Sequence, residues 1–120
     1  MRTIKFRAWD SLHKVYRDHQ DPQTIQAVIF GNDYDGRVIV EQFTGLLDKN
    51  GKEIYEGDIL NWYTTKGTTN GLNMTVTYFD DRAMWGIVFG NGFDTFEAYM
   101  EFGDVGKQFE VIGNIHEGHQ

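Results

Sequence analysis

Several short stretches of this chain alternate polar and apolar residues with a period of two, the pattern of a half-buried strand. Thr3 to Trp9 places Ile4, Phe6 and Ala8 on one face and Thr3, Lys5, Arg7 and Trp9 on the other. Asp10 to Lys14 turns the chain, and Val15 and Tyr16 begin a short return strand. Arg17 to Gln23 is polar, contains Pro22 and reads as a loop. Ile25 to Phe30 is a second apolar piece, separated by the turn formers of Gly31 to Gly36 from a strand over Arg37 to Phe43. Two apolar runs about such a loop predict a second hairpin.

The run Gln42 to Leu60 carries two turn signals between apolar arms. In Asp48-Lys49-Asn50-Gly51, aspartate suits the first position of a type I turn and Gly51 the left-handed residue that closes a bulged hairpin, although Asn-Gly also fits the centre of a type I′ turn. Leu46 and Leu47 then face Ile54 and Tyr55 across the bend, and Glu56-Gly57-Asp58 launches a strand over Ile59 to Thr65. Lys66 to Gly71 is a polar loop. Met74 to Phe79 and Met84 to Phe89 flank the Asp80-Asp81-Arg82 turn and complete a three-stranded meander, which Gly90 to Gly92 ends. Asp94-Thr95-Phe96-Glu97 has the form of a capping box and predicts a short helix from Thr95 to Phe102, with Phe96, Tyr99 and Met100 on one face and Gly103 as its stop. The last strand is Gln108 to Ile112.

Three blocks carry a family likeness: MRTIKFRAWD at the start, QFTGLLDKNGKEIYEGDIL in the middle and FEVIGNIHE near the end. Together they make a chain that resembles the YopX family of small phage and prophage proteins. The resemblance implies a largely β protein containing a small SH3-like barrel, encoded by bacteriophages and prone to self-association. It carries over no catalytic residue. On this reading the chain is one YopX-like domain, with an amino-terminal β-hairpin subdomain over residues 1–43 packed with an SH3-like barrel over 44–117. The division falls just before Thr44-Gly45.

Composition narrows the chemistry. The 120 residues contain no cysteine, which excludes disulfides, thiol catalysis and thiolate metal sites. No apolar run approaches the ~20 residues that span a bilayer, and the amino terminus has no secretory apolar region, so the expectation is a cytoplasmic protein of a bacterial host with no membrane partner. The net charge of −7 is uneven: residues 1–17 hold five basic side chains and one acidic one, net +4, whereas the rest holds six basic and 17 acidic, net −11. A basic sheet face over acidic loops of the same molecule accounts for this, and so does a basic face meeting an acidic surface of another copy. A unit of ~60 residues is marginally stable alone, so the two halves should pack on each other, on another copy, or both.

Candidate sites mostly reduce to structural roles. The loop Gly31 to Gln42 puts Asp33, Asp35 and Gly36 at calcium-loop positions, but Gly31 and Gln42 stand where side-chain ligands are required. His13, His19, His116 and His119 show no enforced zinc spacing. Ser11 and His13 can share a face, yet no oxyanion motif accompanies them, and Gly90-Asn91-Gly92 lacks the third glycine of a dinucleotide loop. Catalytic, metal-binding and cofactor-binding residues are therefore expected to be absent. Trp62 and Trp85, with Tyr63, Phe89 and Phe93, suggest a barrel face that either packs or contacts protein, because an acidic barrel disfavours nucleic acid. If nucleic acid is contacted, Lys5, Arg7 and Trp9 on the basic first hairpin are the candidates. The leading expectation is a non-enzymatic, self-associating accessory protein whose partners are its own copies and an unidentified host or phage protein. The alternative is a nucleic-acid-contacting regulator.

Overall fold

The structure, a computed structural model, describes residues 3–30, 37–64, 67–68, 74–90, 92–102 and 104–119. The chain divides into two compact units, Met1–Phe43 and Thr44–Gln120. In the first, β1 (Phe6–Asp10) is central: it pairs antiparallel with β2 (Val15–Arg17) on one side and with β3 (Val38–Leu47) on the other. The registers Ala8↔Arg17 and Ala8↔Val40 fix which residues face the core. The turn after β1 is tied by Asp10, whose buried Oδ1 accepts the backbone N–H groups of Leu12 and His13.

Ile25 to Phe30, expected as a strand, belongs instead to the helix α1 (Pro22–Phe30), so the second hairpin does not form. Asp21 supplies the N-cap, its Oδ1 accepting the Gln23 N–H at 2.9 Å, while Pro22 occupies the first helical position, where its missing N–H costs nothing. Thr24 and Ala27, three residues apart, are buried against the sheet. Ala8, Ala27 and Val38 form the core of this unit, and the two alanines let helix and strand approach closely. β-branched Ile25, Val28 and Ile29 favour a strand by propensity, but the cap and the buried stripe decide for helix.

The second unit is mainly β and barrel-like. Its strands are β4 (Glu53–Tyr55), β5 (Asp58–Thr64), β6 (Gly67–Thr68), β7 (Met74–Phe79), β8 (Met84–Phe89), β9 (Gly92–Thr95), β10 (Phe109–Asn114) and β11 (Gly118–His119). The sheet runs β11-β10-β5-β7-β8-β9, with β6 paired to β5, and contains the expected meander β5-β7-β8. Leu60, Val76, Ile87 and Phe109 are fully buried at its centre with Ile54, Met74, Phe96 and Tyr99. Strand β9 was not expected. Its Asp94 sits in the sheet, where Oδ2 accepts the Tyr99 hydroxyl at 2.9 Å. The helical segment that follows is a 3-10 helix, Phe96–Phe102. Its period of three buries Phe96 and Tyr99 together and leaves Met100 exposed, against the expectation that all three share a face. Gly103 and the loop 31–36 lie outside the described residues.

The hairpin at Asp48 to Gly51 forms inside the second unit, with Gly51 at φ +83°. It also holds the last long strand. Asp48 Oδ1 accepts the N–H groups of Asn50 and Lys52, and its Oδ2 accepts that of Val111 on β10 at 2.9 Å. Lys49 N–H donates to the Phe109 carbonyl, and Asn50 Nδ2 donates to Glu110 Oε2.

Candidate functional site

The five side chains singled out by sequence serve mainly to build the fold. On β1, Arg7 Nε donates to Glu41 Oε1 at 2.9 Å, its terminal nitrogen donates to the Tyr16 hydroxyl, and the guanidinium lies 4.1 Å from the Tyr16 ring centroid. The Tyr16 hydroxyl in turn donates to Glu41. Trp9 is only 4% exposed and meets Tyr16 edge-on, so it offers no ring face for stacking. The Lys5 ammonium lies 5.3 Å from the Phe43 ring centroid. Lys5, Arg7 and Trp9 are thus brought close, but Arg7 and Trp9 are held inward.

Charge agrees with that. Arg17 donates to both Asp10 and Asp21, matching a second basic residue of the first hairpin with acids of its own unit. Over residues 1–43 the chain has six basic and six acidic side chains, so the excess of the first 17 residues is cancelled within that unit. Residues 44–120 hold five basic and 12 acidic side chains, and the whole net charge of −7 resides there.

Trp62 and Trp85 are half-buried and packed against the core of the second unit. The Trp62 indole N–H donates to Gln108 Oε1, and its ring meets Tyr99 edge-on at 5.3 Å. Trp85 meets Tyr78 edge-on at 5.1 Å, and its enclosed indole N–H has no acceptor among the described residues. The two tryptophans stand on β5 and β8 with β7 between them, and they do not make one stacking platform.

The buried carboxylates hold backbone rather than chemistry. Asp58 Oδ2 accepts the Tyr55 N–H at 2.7 Å, alongside the turn roles of Asp10 and Asp48. Arg17 above all, then the backbone N–H and ring of His13, keep the Asp10 carboxyl well below the usual carboxylate range. Burial, followed by the bond to Asp94, pushes the Tyr99 phenol up. Among the described residues no group of three or more histidine, aspartate or glutamate side chains is placed to hold a metal ion. No helix among them is long and apolar enough to cross a membrane.

One surface of the first unit stands apart. A groove of about 220 Å³ opens between the segment leading into β1 and the outer flank of α1, walled by Ile4, Phe6, Ile25, Val28 and Ile29. Lys5, His19 and Thr24 supply its polar margin. Ile4 and Ile29 are 66% and 67% exposed, and Phe30, at the end of the helix, is 77% exposed. Side chains this apolar are seldom left open together unless they meet a partner. Apart from Lys5 and His19 at its margin, the groove residues had not been singled out, because a strand over Ile25 to Phe30 would have divided the helical ones between two faces. The signal that finds them is Asp21-Pro22 followed by Ile25, Val28 and Ile29 at spacings of three and four.

The sequence profile described as YopX protein matches residues 5–119. The chain belongs to the YopX protein family. A crystal structure of protein EF1440 from Enterococcus faecalis is similar to this YopX-family chain, with a TM-score of 0.61 and 26% identity, covering 98% of this chain and 96% of that one. No curated protein matches the sequence. For the YopX-family fold, membership accounts for the three sequence blocks. The first is β1 with its lead-in, the second is the Asp48 hairpin with the start of β5, and the third is β10, to which that hairpin is bonded.

Proposed function

We propose that this YopX-family chain is a phage-encoded, non-enzymatic accessory protein of the bacterial cytoplasm that works by contacting other polypeptides, a second copy among them. The observation that carries this reading is the open apolar groove of α1, with Ile4, Ile25, Val28 and Ile29 exposed around it. The buried aspartates support it, since each is engaged in holding a turn or a strand. The even charge of the first unit favours a protein over a polyanion as partner, because phosphate contacts need an excess of lysine and arginine.

The test is retention of a bound polypeptide by a tagged chain produced in a bacterial host, with and without phage genes. Ile25→Glu and Ile29→Glu should abolish retention while leaving the unfolding midpoint nearly unchanged, because both positions are exposed. Equal retention by wild type and variants would remove the groove as the contact surface.

A further inference from the structure

We infer that Asn50-Gly51, at the tip of the hairpin that holds β10, is a deamidation site, at which conversion of the Asn50 carboxamide to a carboxylate loosens the hairpin from β10. The hairpin meets the strand through Asp48 Oδ2, which accepts the Val111 N–H, through the Lys49 N–H, which donates to the Phe109 carbonyl, and through Asn50 Nδ2, which donates to Glu110 Oε2, each at 2.9 Å. The first two contacts use a buried carboxylate and backbone groups. The third uses an exposed carboxamide followed by glycine, the neighbour that offers least steric resistance to attack on it because it has no Cβ.

The reaction needs only water. The Gly51 backbone nitrogen bonds to Asn50 Cγ, its proton passes through solvent to the departing Nδ2, and ammonia leaves behind a cyclic imide. Water then opens the imide at Cγ, giving aspartate, or at the main-chain carbonyl, giving isoaspartate with an extra methylene in the backbone. In the closed hairpin both reactants are engaged: the Gly51 N–H donates to the Asp48 carbonyl at 3.0 Å, and Glu110 holds the carboxamide. Reaction therefore runs through the locally opened hairpin. Both residues are exposed, with open space around Gly51, so little packing holds the tip shut. Either product works against reclosure. Aspartate has no proton to donate and sets a second carboxylate against Glu110, in the unit that already holds the whole net charge of −7. Isoaspartate lengthens the backbone across which the Asp48 N–H reaches the Lys52 carbonyl.

Peptide mapping by mass spectrometry tests the reaction on the full chain, incubated folded and in urea in mildly alkaline buffer. It resolves residue 50 from the other Asn-Gly pairs, Asn70-Gly71 and Asn91-Gly92. Conversion at residue 50 is expected in both samples, about tenfold to a hundredfold slower in the folded one because it waits on opening. The consequence is read on variants. Asn50→Asp should lower the thermal midpoint by about 3 °C or more and reduce exchange protection of the Val111 amide. Glu110→Gln alone should leave the midpoint nearly unchanged. Asn50→Asp combined with Glu110→Gln should recover most of the loss, since the glutamine amide donates to the new carboxylate. Equal rates in the two samples, an intact amide at residue 50 after about a hundred half-lives of the unfolded chain, an Asn50→Asp midpoint equal to wild type, or no recovery in the double variant would overturn the inference.

Discussion

Asp48 Oδ2 accepts the backbone N–H of Val111 at 2.9 Å, across 63 residues of sequence. The same carboxylate shapes its own hairpin through Asn50 and Lys52, so one buried side chain couples a local turn to a distant strand. The strand needs the bond at that point: the β10–β5 register shifts between Val111 and Gly113, a bulge at which regular pairing is interrupted. Asp48→Ala leaves the buried Val111 N–H without this acceptor, together with the N–H groups of the exposed residues Asn50 and Lys52, and should cost about 2 kcal/mol. Urea unfolding checks the cost, and hydrogen exchange should show Val111 among the amides that lose most protection.

Two glycines separate backbone strain from steric conflict. Gly51 sits at φ +83° with open space around a Cβ, so Gly51→Ala should cost about 1 kcal/mol from conformation alone. Gly86 has an ordinary φ, but a Cβ there would run into the Asp94 carbonyl, the Phe79 ring and the Thr95 backbone. Gly86→Ala should therefore cost roughly 2 to 3 kcal/mol by pushing β9 away from β8. Denaturation midpoints of the two variants should fall in that order, and the reverse order would contradict the β8–β9 packing.

Acid should weaken the first unit through Asp10. Its folded carboxyl is depressed by Arg17 first and by His13 after it, below an unfolded value of about 3.9. The unfolded chain therefore binds the proton first. The contribution of Asp10 is present above about pH 4 and is lost as the pH falls below that toward the folded value. Stability measured between neutral and acid pH should decline less steeply in Asp10→Asn than in wild type, and parallel curves would refute the role given to Arg17.

Arg7 is predicted to matter for stability rather than for nucleic-acid binding. Its guanidinium bonds the carboxylate of Glu41, a buried residue on the neighbouring strand. Removing one partner of such a pair leaves a charge without compensation, so Arg7→Ala should destabilise the chain by about 2 kcal/mol or more. In a low-salt gel shift, wild type and variant should migrate alike with single- or double-stranded DNA. Retardation of wild type alone would restore the nucleic-acid reading.

What was legible in the sequence was what neighbouring residues decide. Met74–Phe79 and Met84–Phe89 were read residue for residue, because alternation in the first, an apolar run in the second and the intervening Asp80-Asp81-Arg82 turn are local signals. Gly51's left-handed backbone followed from the Asp-Lys-Asn-Gly turn. The helix at Pro22–Phe30 was misread for a reason equally local: Ile25, Val28 and Ile29 are good strand formers, and the Asp21 cap together with the buried Thr24 and Ala27 stripe outweighs them.

By itself the sequence determined the family, the mainly-β class and the positions of most strands and turns, since blocks of residues, alternation and turn chemistry act over a few neighbours. Tertiary structure alone decided which polar and aromatic side chains are occupied. Arg7 looked available until Glu41, 34 residues away, was brought beside it, and Trp9 until it was packed against Tyr16. It also decided which apolar residues remain open, because exposure is a property of what else arrives at a surface. Nothing local in Ile4, Ile29 or Phe30 distinguishes a core side chain from one left facing outward beside a groove.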